Sequence, residues 1–263
     1  MKLRQRESKV FAEILNRLRE GNHTENDIMK IKERCVHETN CSREAPRLFI
    51  QNVMVGGYNE TVYQASKGAK YNIKAQDSVI GANSAELRDK IMRQIPHVPL
   101  KNTRQLATKL RLAEGERTEI ALNVRTDDGL TNGASNVVKV GQLHQPHKPS
   151  GIIWVEFDYE DVGRKTRQGI QPTWTPIKPV TTQFYVGKTK SAQVVRKQFP
   201  LRPAAVKTVH RSQGDTHTEI VANLNTKRAI PHIHYVALSR VTTIEGCILL
   251  TCAKIKFLSI QKL

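Results

Sequence analysis

The spacing of apolar residues predicts helices at the start of the chain. In ESKVFAEILNRLREGN, five apolar side chains recur at helical spacing on one face, and Gly21 then ends the pattern. These five are Val10, Phe11, Ile14, Leu15 and Leu18. TENDIMKIKERC predicts a second helix with Thr24 as its N-cap.

The next segments predict an alternation of strands and helices. RLFIQNVMV is typical of a buried strand, which we expect to end at Gly56 and Gly57. YNETVYQAS then predicts a short helix and YNIKAQDSVI a further strand. SAELRDKIMRQI has a helical pattern that closes near Pro96 and Pro99.

From about residue 104 the pattern changes to short β-like runs. TRQLATKLRLAEGERTEIALNV, LTNGASNVVKV and GIIWVEFDYEDVG are separated by Gly, Asn and Pro turns, which favours a small barrel or curled sheet. We expect QPTWTPIKPVTTQFYVGKTK to be a connector, because prolines interrupt it.

The last part returns to buried strands. PAAVKTVH, TEIVANL and GCILLTCAKIKFL are continuous apolar runs of the kind found in parallel sheets, and HIHYVALSRVTT predicts a short helix before the third run. The fold class is therefore predicted to be α/β with an inserted small β-barrel. The predicted limits are 1–115 for the first α/β part, 116–195 for the barrel and 196–263 for the remainder.

Composition adds a strong charge. Among 263 residues, 42 Lys and Arg against 24 Asp and Glu give a net charge of +18. Such an excess favours a polyanionic partner, most simply nucleic acid. From Val162 to Gly214 there are eleven Lys and Arg and no carboxylate. This stretch is either a solvated basic face or a track for a phosphate backbone, and we favour the track.

The cysteines and histidines suggest no further chemistry. The four cysteines have no CxxC spacing and form no disulfide framework, and CVHETNC lacks a second ligand pair for zinc. No apolar stretch is long enough to span a membrane, and the N-terminus has no signal-peptide core. We therefore expect an intracellular chain with no membrane partner and no metal of its own.

The segment TVHRSQGDT has the composition of a phosphate-handling loop. It follows an apolar strand, and ligands of α/β sheets bind at the carboxyl ends of strands. His210, Arg211, Ser212, Gln213 and Thr216 offer donors around Gly214, where the backbone can approach a ligand closely. Taken singly, each of these residues is as typical of an ordinary turn, so the prediction rests on their clustering.

A second candidate is Arg240 in YVALSR. We expect Ala237 and Leu238 to pack inwards, so that Ser239 and Arg240 point outwards. A planar guanidinium held in this way can neutralise charge that develops during γ-phosphoryl transfer. The alternative is a surface arginine in a structural ion pair.

A phosphate-cradling loop is not found in the sequence. Gly187-Lys188-Thr189 resembles the end of such a loop, but Thr182 stands where a glycine is required. The following SAQVVRKQFP is also a poor start for a helix, because Pro200 cuts it short. The chain therefore has candidate arginines without the loop that they would serve.

FPLRPAAVKTVHRSQGDT and HYVALSRVTT resemble the last two motifs of superfamily-1 helicases of the PIF (petite integration frequency) and RecD-like group. LRQRESKVFAEILNRLREGN, APRLFIQNVMVGGYN, LTNGASNVV and IIWVEFDYEDVG are similar to earlier segments of that family. The form of the middle region is most similar to PIF-like helicases of Helitron transposons and related eukaryotic genes. The resemblance implies a nuclear location.

In this family two RecA-like motor domains clamp ATP between them, and the second domain carries the small barrel. The chain resembles only the second, C-terminal motor domain, which implies that an N-terminal RecA-like domain is missing. The resemblance further implies that Arg4 and Arg240 reach the γ-phosphate and that Gln213 and Gly214 line the nucleotide side of their loop.

The resemblance also implies a DNA-facing surface. Thr208, His210, Arg211 and Ser212 would face single-stranded DNA, and we add Lys207 from the basic stretch. Two positions depart from the family pattern. Arg211 stands where lysine is usual, and Asn136 stands where the barrel motif usually has glycine, so we expect an altered turn there.

The function implied is that of the C-terminal portion of an ATP-dependent 5′-to-3′ DNA helicase. Its settings would be DNA repair, recombination, telomere maintenance or transposon replication, with ATP and Mg²⁺ as cofactors of the complete enzyme. Alone, the chain is expected to be inactive, because it lacks the Gly-Lys-Thr loop, the Asp-Glu pair and the sensor Gln. Two alternatives stay open: a stand-alone protein that binds single-stranded nucleic acid, and a subunit that supplies an arginine finger in trans.

Overall fold

The computed structural model describes residues 8–37, 41, 45–167, 169–187, 192–225, 230 and 232–250. The chain divides into two compact units. The first combines residues 1–59 with 205–263, and the second is formed by residues 60–204. The second unit thus includes the segment 116–195 in which a small barrel was predicted, together with residues on both sides of it.

The helices and strands are numbered along the chain. The helices are α1 (Lys9–Glu20), α2 (Glu25–Lys32), α3 (Asn52–Ala65), α4 (Ala85–Gln94) and α5 (Ile233–Leu238). The strands are β1 (Cys35–Val36), β2 (Arg47–Phe49), β3 (Lys70–Lys74), β4 (Gln76–Ile80), β5 (Lys109–Ala113), β6 (Arg117–Ile120), β7 (Ser135–Leu143), β8 (Gly151–Phe157), β9 (Trp174–Ile177), β10 (Val180–Tyr185), β11 (Gln193–Gln198), β12 (Leu201–Pro203), β13 (Val206–Thr208), β14 (Ile220–Asn223) and β15 (Cys247–Leu250).

A parallel sheet forms the centre of the first unit. Its strand order is β1-β15-β14-β2-β13, and every pairing is parallel. Apolar side chains of α1 and α5 pack on β2, β14 and β15, with Phe11, Ile14 and Leu48 among the most buried. The α/β class is confirmed, as are the three late apolar strands up to Leu250, because these strands are buried on both faces. The rest of the third run lies outside the described residues.

The first two helices begin and end as their sequence signals predict. Ser8 caps α1, and Gly21 ends it in the left-handed conformation with φ 73°. Thr24 and Asp27 form a reciprocal capping box at α2. Arg17 of α1 donates two hydrogen bonds to the Asp27 carboxylate, at 2.8 and 2.7 Å, and so joins the two helices.

The predicted strand RLFIQNVMV is wrong in its second half. The strand stops at Phe49, and α3 begins at Asn52 and continues through Gly56 and Gly57. A Cβ added at either glycine would meet nothing within 4 Å, and Val53 is 85% exposed. The apolar residues thus lie on an exposed helix with a single buried side chain, Val55, and the glycines weaken this helix without ending it.

The second unit is built mainly from antiparallel strands. Its largest sheet has the order β12-β6-β7-β8-β9, a second sheet has the order β10-β11-β4, and β3 pairs with β5. Ile120, Val138, Ile153 and Phe199 lie in its largest apolar core. The β-rich texture predicted after residue 104 is confirmed, because alternating side chains of these strands fill that core.

Two expectations for this unit are wrong. YNIKAQDSVI forms two strands, β3 and β4, that belong to different sheets. The proline-rich connector contains β9 and β10. Pro176 is tolerated within β9 because, among the described strands, β9 lies at the edge of its sheet and pairs with β8 alone.

Asn136 does not alter a turn. It lies on β7 with its side chain fully buried, where Thr118 Oγ1 donates to Asn136 Oδ1 at 2.5 Å and Asn136 Nδ2 donates to the Ala134 carbonyl at 3.2 Å. The preceding turn uses Gly133, whose φ is 93°. The expectation was wrong because the asparagine satisfies its amide inside the sheet.

No helix among the described residues is long and apolar enough to cross a membrane. In the same part of the chain, no group of three or more His, Cys, Asp or Glu could hold a metal ion. Cys41 and Cys247 are free thiols, whereas Cys35 is disulfide-bonded. Burial raises the pKa of Cys247 to about 12, so this thiol packs as an apolar group.

The contact between α1 and α2 generates a pH-dependent prediction. The hydrogen bonds from Arg17 hold the pKa of Asp27 well below its usual range. Burial raises this pKa, but its effect is smaller than that of the hydrogen bonds. A carboxylate with a depressed pKa stabilises the fold above its unfolded pKa of about 3.9, and this contribution is lost as the pH falls further. We expect Asp27→Asn to lower the free energy of unfolding at pH 7 by about 1 kcal/mol.

Denaturant unfolding at pH 7 and below pH 4 measures this effect, with Asp89→Asn on the exposed face of α4 as the control. The difference in free energy of unfolding between Asp27→Asn and the parent chain should be smaller at the lower pH. A difference that does not change with pH would show that the charge of Asp27 has no part in stability.

Candidate nucleotide and nucleic-acid site

The candidate loop leaves the parallel sheet at the carboxyl end of β13. Val209 N donates to the Phe49 carbonyl at 2.9 Å, so the loop stays attached to β2 just past the strand. The amides of Arg211 and Ser212 then both donate to the Thr208 carbonyl, at 2.9 and 3.2 Å. These bonds close a tight turn at the sheet edge where α/β proteins bind their ligands.

Hydroxyl groups hold the inside of this turn. The Ser212 hydroxyl donates to the Val209 carbonyl at 2.8 Å, and its side chain is fully buried. Thr208 is also buried, and its Oγ1 accepts a bond of 3.4 Å from Arg211 N. Both side chains therefore shape the loop, and their predicted contact with DNA stays a prediction.

Other members of the loop lie at the surface. His210, Gln213 and Gly214 are exposed. Gly214 has φ 108°, which only glycine adopts without strain, and an added Cβ would meet nothing within 4 Å. The glycine thus serves backbone conformation and leaves open space beside the loop for a ligand.

Arg240 does not point outwards. It is only 7% exposed, because its guanidinium turns back towards the loop after β13. Nε donates to the Val236 carbonyl at 2.9 Å, Nη2 donates to the Ser239 hydroxyl at 2.7 Å, and Nη1 donates to the Ser212 carbonyl at 3.3 Å. The outward orientation was wrong because backbone carbonyls near the end of α5 offer close acceptors.

The main chain joins the same two segments. His217 N donates to the Arg240 carbonyl at 2.8 Å, and His217 forms a parallel bridge with Val241. The two motifs that stood out in the sequence are therefore in direct contact.

A charge cluster lies on the same loop. Asp215 lies 3.5 Å from Lys207 Nζ and 3.7 Å from His217 Nε2. Burial alone would raise the pKa of Asp215, but the hydrogen bond from His217 and the charge of Lys207 together lower it. The Lys207 side chain is 10% exposed, so it faces this carboxylate more than the solvent.

Arg211 has an intermediate position. Its side chain is half-buried, and burial lowers the pKa of its guanidinium. The group is still cationic at neutral pH, because an arginine pKa stays far above 7. A positive charge is therefore held within a few residues of the exposed His210 and Gln213.

Two residues of this site were not predicted from the sequence, and two other candidate residues lie outside the described part of the chain. Asp215 and His217 were overlooked, although a carboxylate and an imidazole directly after Gly214 could have drawn attention. Arg4, the second predicted finger, lies outside the described residues, as does Lys188 of the rejected phosphate loop. Their predicted roles stay predictions.

The basic stretch from Val162 to Gly214 is not free of acids in space. Arg196 is fully buried and donates to both oxygens of Asp77, at 2.7 and 2.8 Å. Arg202 Nε donates to one oxygen, Oε1, of the buried Glu119. Antiparallel pairing places these carboxylates on the strands next to β11 and β12.

Two further cations of the stretch are paired near the surface. Lys165 lies 3.3 Å from an Asp127 oxygen, and Lys207 is paired with Asp215 as described. These four cations therefore have carboxylates beside them in the fold, and the role of the basic stretch as a phosphate track stays a prediction. Strand pairing and turns bring carboxylates from elsewhere in the chain against them.

Comparison with known proteins identifies the fold. No protein-family model matches the chain, and no curated protein matches it. Among solved structures, Pif1 helicase from Candida albicans is similar with a TM-score of 0.73 and 21% identity, over 99% of this chain and 57% of that one. The chain shares the fold of Pif1 helicases.

Bacterial relatives of this fold agree. Bacteroides Pif1 bound to single-stranded DNA gives a TM-score of 0.65 at 21% identity, over 98% of this chain and 52% of that one. Bacteroides Pif1 with ADP-AlF3 and single-stranded DNA gives 0.65 at 20% identity, over 100% and 53%. The chain thus spans little more than half the length of these Pif1 helicases.

The described residues fit only part of the cofactor set that this fold implies. Gln213 and Gly214 offer an exposed amide and an open backbone position, which suit the oxygens of a nucleotide phosphate. The Arg240 guanidinium, in contrast, is 7% exposed and donates to three acceptors within the protein. For Mg²⁺ the described part of the chain does not fit, because no cluster of three or more ligating side chains occurs in it.

The contacts of Arg240 predict a structural role in addition to any catalytic one. Arg240→Ala removes a buried guanidinium together with its three hydrogen bonds and leaves their acceptors without these donors. We therefore expect the free energy of unfolding to fall by about 2–3 kcal/mol. Arg19→Ala, on the exposed side of α1, is the matched control and should change stability little. Denaturant unfolding measures both variants. An Arg240→Ala variant as stable as the parent would refute the proposed link between the two loops.

Proposed function

We propose that the chain is the C-terminal, second motor part of an ATP-dependent 5′-to-3′ DNA helicase. The observation that carries this proposal is the position of Arg240, whose guanidinium joins the two motif loops at the carboxyl edge of the parallel sheet. The Pif1 fold supports it, since solved Pif1 helicases include complexes with ADP-AlF3 and with single-stranded DNA.

In this proposal the chain completes a nucleotide site that another RecA-like domain begins. That domain would supply the phosphate-cradling loop and the Mg²⁺ ligands, which the described residues here do not offer. ATP with Mg²⁺, when bound, would supply γ-phosphoryl transfer to water. Arg240 and Arg4 would neutralise the charge that develops on the γ-phosphate, and Gln213 with Gly214 would line the nucleotide.

The same loop would carry the nucleic-acid contact. His210 and Arg211 would face the strand directly, while Thr208 and Ser212 keep the turn in shape and Lys207 adds charge beside Asp215. In this proposal the nucleotide and the DNA strand contact the same loop. ATP turnover would therefore change the affinity of the chain for DNA. Nuclear DNA repair, recombination, telomere maintenance or transposon replication of the Helitron type are the settings that we propose for this activity.

A second candidate function is favoured by the charge of the chain. A net charge of +18 and a loop that exposes His210, Gln213 and Gly214 would suffice for binding single-stranded nucleic acid without hydrolysis. In the other alternative, the chain would supply Arg240 in trans to another protein's ATP site. That function would also need Arg240 to be held between the two motif loops. The two experiments below separate binding from turnover.

Salt dependence tests the strand contact. We expect the chain to bind labelled oligothymidine, with an affinity that falls steeply as salt rises. Replacing Lys207 and Arg211 by Gln should reduce the slope of log affinity against log salt by about 0.7 for each lost phosphate contact. Lys9→Gln with Arg19→Gln on α1 is the matched control, since both residues are exposed. Equal slopes for the two double variants would place the strand contact elsewhere.

ATP turnover by the chain alone tests whether the nucleotide site is shared with another domain. The purified chain should hydrolyse ATP at no more than the background rate while it still binds single-stranded DNA, because arginines alone cannot replace the phosphate cradle and Mg²⁺. Phosphate release with and without oligothymidine measures this. Turnover that disappears in a folded Arg240→Lys variant would contradict the proposal that the nucleotide site is shared.

A further inference from the structure

An open strand edge lies within the second unit. Among the described strands, β10 is at the end of the sheet β10-β11-β4 and pairs with β11 alone. Every second residue of a strand directs its N–H and C=O to the same side, so half of these groups in β10 point away from β11. Within the described residues, Val180 to Phe184 make no main-chain hydrogen bond outside this pairing. The edge can therefore accept a further strand.

The composition of β10 leaves this edge unprotected. Its sequence, VTTQFY, contains no charge and no proline and consists mainly of residues that favour strands. Proteins commonly protect an open edge with proline, with charge or by making the strand short. In the largest sheet of the same unit, β9 contains Pro176, and β12 has three residues and ends at Pro203. The long, uncharged edge of β10 favours a partner strand.

A groove runs along the edge of β10. Its volume is about 710 Å³, within the range of about 300–1,000 Å³ that ligand sites occupy. Three consecutive residues of β10 line it, Thr181, Thr182 and Gln183. Because successive side chains of a strand point to opposite faces, contact with three in a row indicates that the groove follows the edge and not one face.

The opposite side of the groove carries positive charge. Lys101 and Arg104 line it and are both exposed. None of the described residues that line the groove is an Asp or a Glu. A ligand with carboxylates would therefore meet two cations and no like charge.

Backbone strain positions one of these cations. Arg104 and Gln105 are consecutive residues with φ of 54° and 65°, a left-handed conformation that disfavours residues with a Cβ. The buried Thr103 hydroxyl holds the turn by donating to the carbonyls of Leu100 and Leu106, at 3.0 and 2.9 Å. Strain of this kind persists where the surrounding structure enforces it, often at binding sites.

We propose that this groove docks an extended acidic segment of a partner protein, which adds to the sheet as a strand beside β10. A polypeptide supplies both the donors and the acceptors that the edge of β10 needs, and its carboxylates would face Lys101 and Arg104. None of the residues assigned above to nucleotide or DNA lines the groove. The inference thus goes beyond the proposed function and does not depend on it.

Two other occupants fit the edge less well. The phosphodiester backbone of a nucleic acid offers acceptors but no donors, so it would leave the outward carbonyls of β10 without partners. A second copy of this chain would bring its own Lys101 and Arg104 to a groove that already holds two cations. Both occupants are outcomes that the experiments distinguish.

Fluorescence anisotropy with a labelled octapeptide of alternating Glu and Thr tests the docking on the full chain. We expect Lys101→Gln with Arg104→Gln to weaken binding several-fold, because two attractive charges are lost. Lys67→Gln with Lys148→Gln removes two exposed charges elsewhere in the same unit and is the matched control. The control pair should bind the peptide with nearly the affinity of the parent.

Two further measurements test strand addition itself. The same peptide with all its amides N-methylated keeps the carboxylates but cannot donate to β10, so its affinity should fall by about tenfold or more. Hydrogen exchange of the amides in Val180–Tyr185 should slow when the unmethylated peptide is added, because outward N–H groups become bonded.

Arg104→Gly separates binding from folding. Glycine adopts the left-handed conformation at position 104 without strain, so the thermal midpoint of this variant should stay at or above that of the parent. Its affinity for the acidic peptide should nevertheless fall. Weaker binding by a chain that is no less stable cannot be explained by unfolding.

Four results would overturn the inference, and none of them affects the proposed function. The first is that the parent chain does not bind the peptide, or binds its methylated form equally well. The second is that the groove variants match the control pair. The third is that β10 amides become protected as the chain dimerises without peptide, which would make a second copy the occupant. The fourth is that the groove variants weaken binding of oligothymidine and not of the peptide, which would make nucleic acid the occupant.

Discussion

The buried guanidinium of Arg240 is the interaction on which the candidate site depends. A cation that is only 7% exposed is stable only if its donors find acceptors, and here these are two carbonyls and one hydroxyl. One of these acceptors, the Ser212 carbonyl, belongs to the loop after β13. The requirement to satisfy one charge therefore fixes two distant parts of the chain against each other.

This coupling has a functional consequence. The loop after β13 carries exposed side chains on a turn whose inner hydroxyls are engaged in hydrogen bonds. Arg240 Nη1 and the bond from His217 N connect this loop to the end of α5. A nucleotide that draws on Arg240 would thus act on the residues proposed to face DNA, without a separate signalling element.

Electrostatics in the folded chain are more local than the net charge of +18 indicates. Arg196 and Arg202 are neutralised by Asp77 and Glu119 across neighbouring strands, so they stabilise the second unit and do not face a polyanion. Binding depends on where unneutralised charge lies, not on the total.

Much of the fold could be predicted from the sequence where local rules decide. Ser8, Gly21 and Thr24 mark helix ends because capping involves only neighbouring residues. Continuous apolar runs predict the buried strands β13 to β15, since both faces of a parallel sheet are covered. Local rules failed at Gly56 and Gly57, where an apolar run became an exposed helix.

Only the tertiary structure determined which residues are partners in hydrogen bonds and ion pairs. The residues of the two motif loops were visible in the sequence, because their composition is that of a phosphate-handling site. That Arg240 turns inwards to Ser212 and that Asp77 meets Arg196 both depend on contacts between residues far apart in the chain. A hydrogen bond or ion pair needs its second atom in place, and only folding brings that atom within reach.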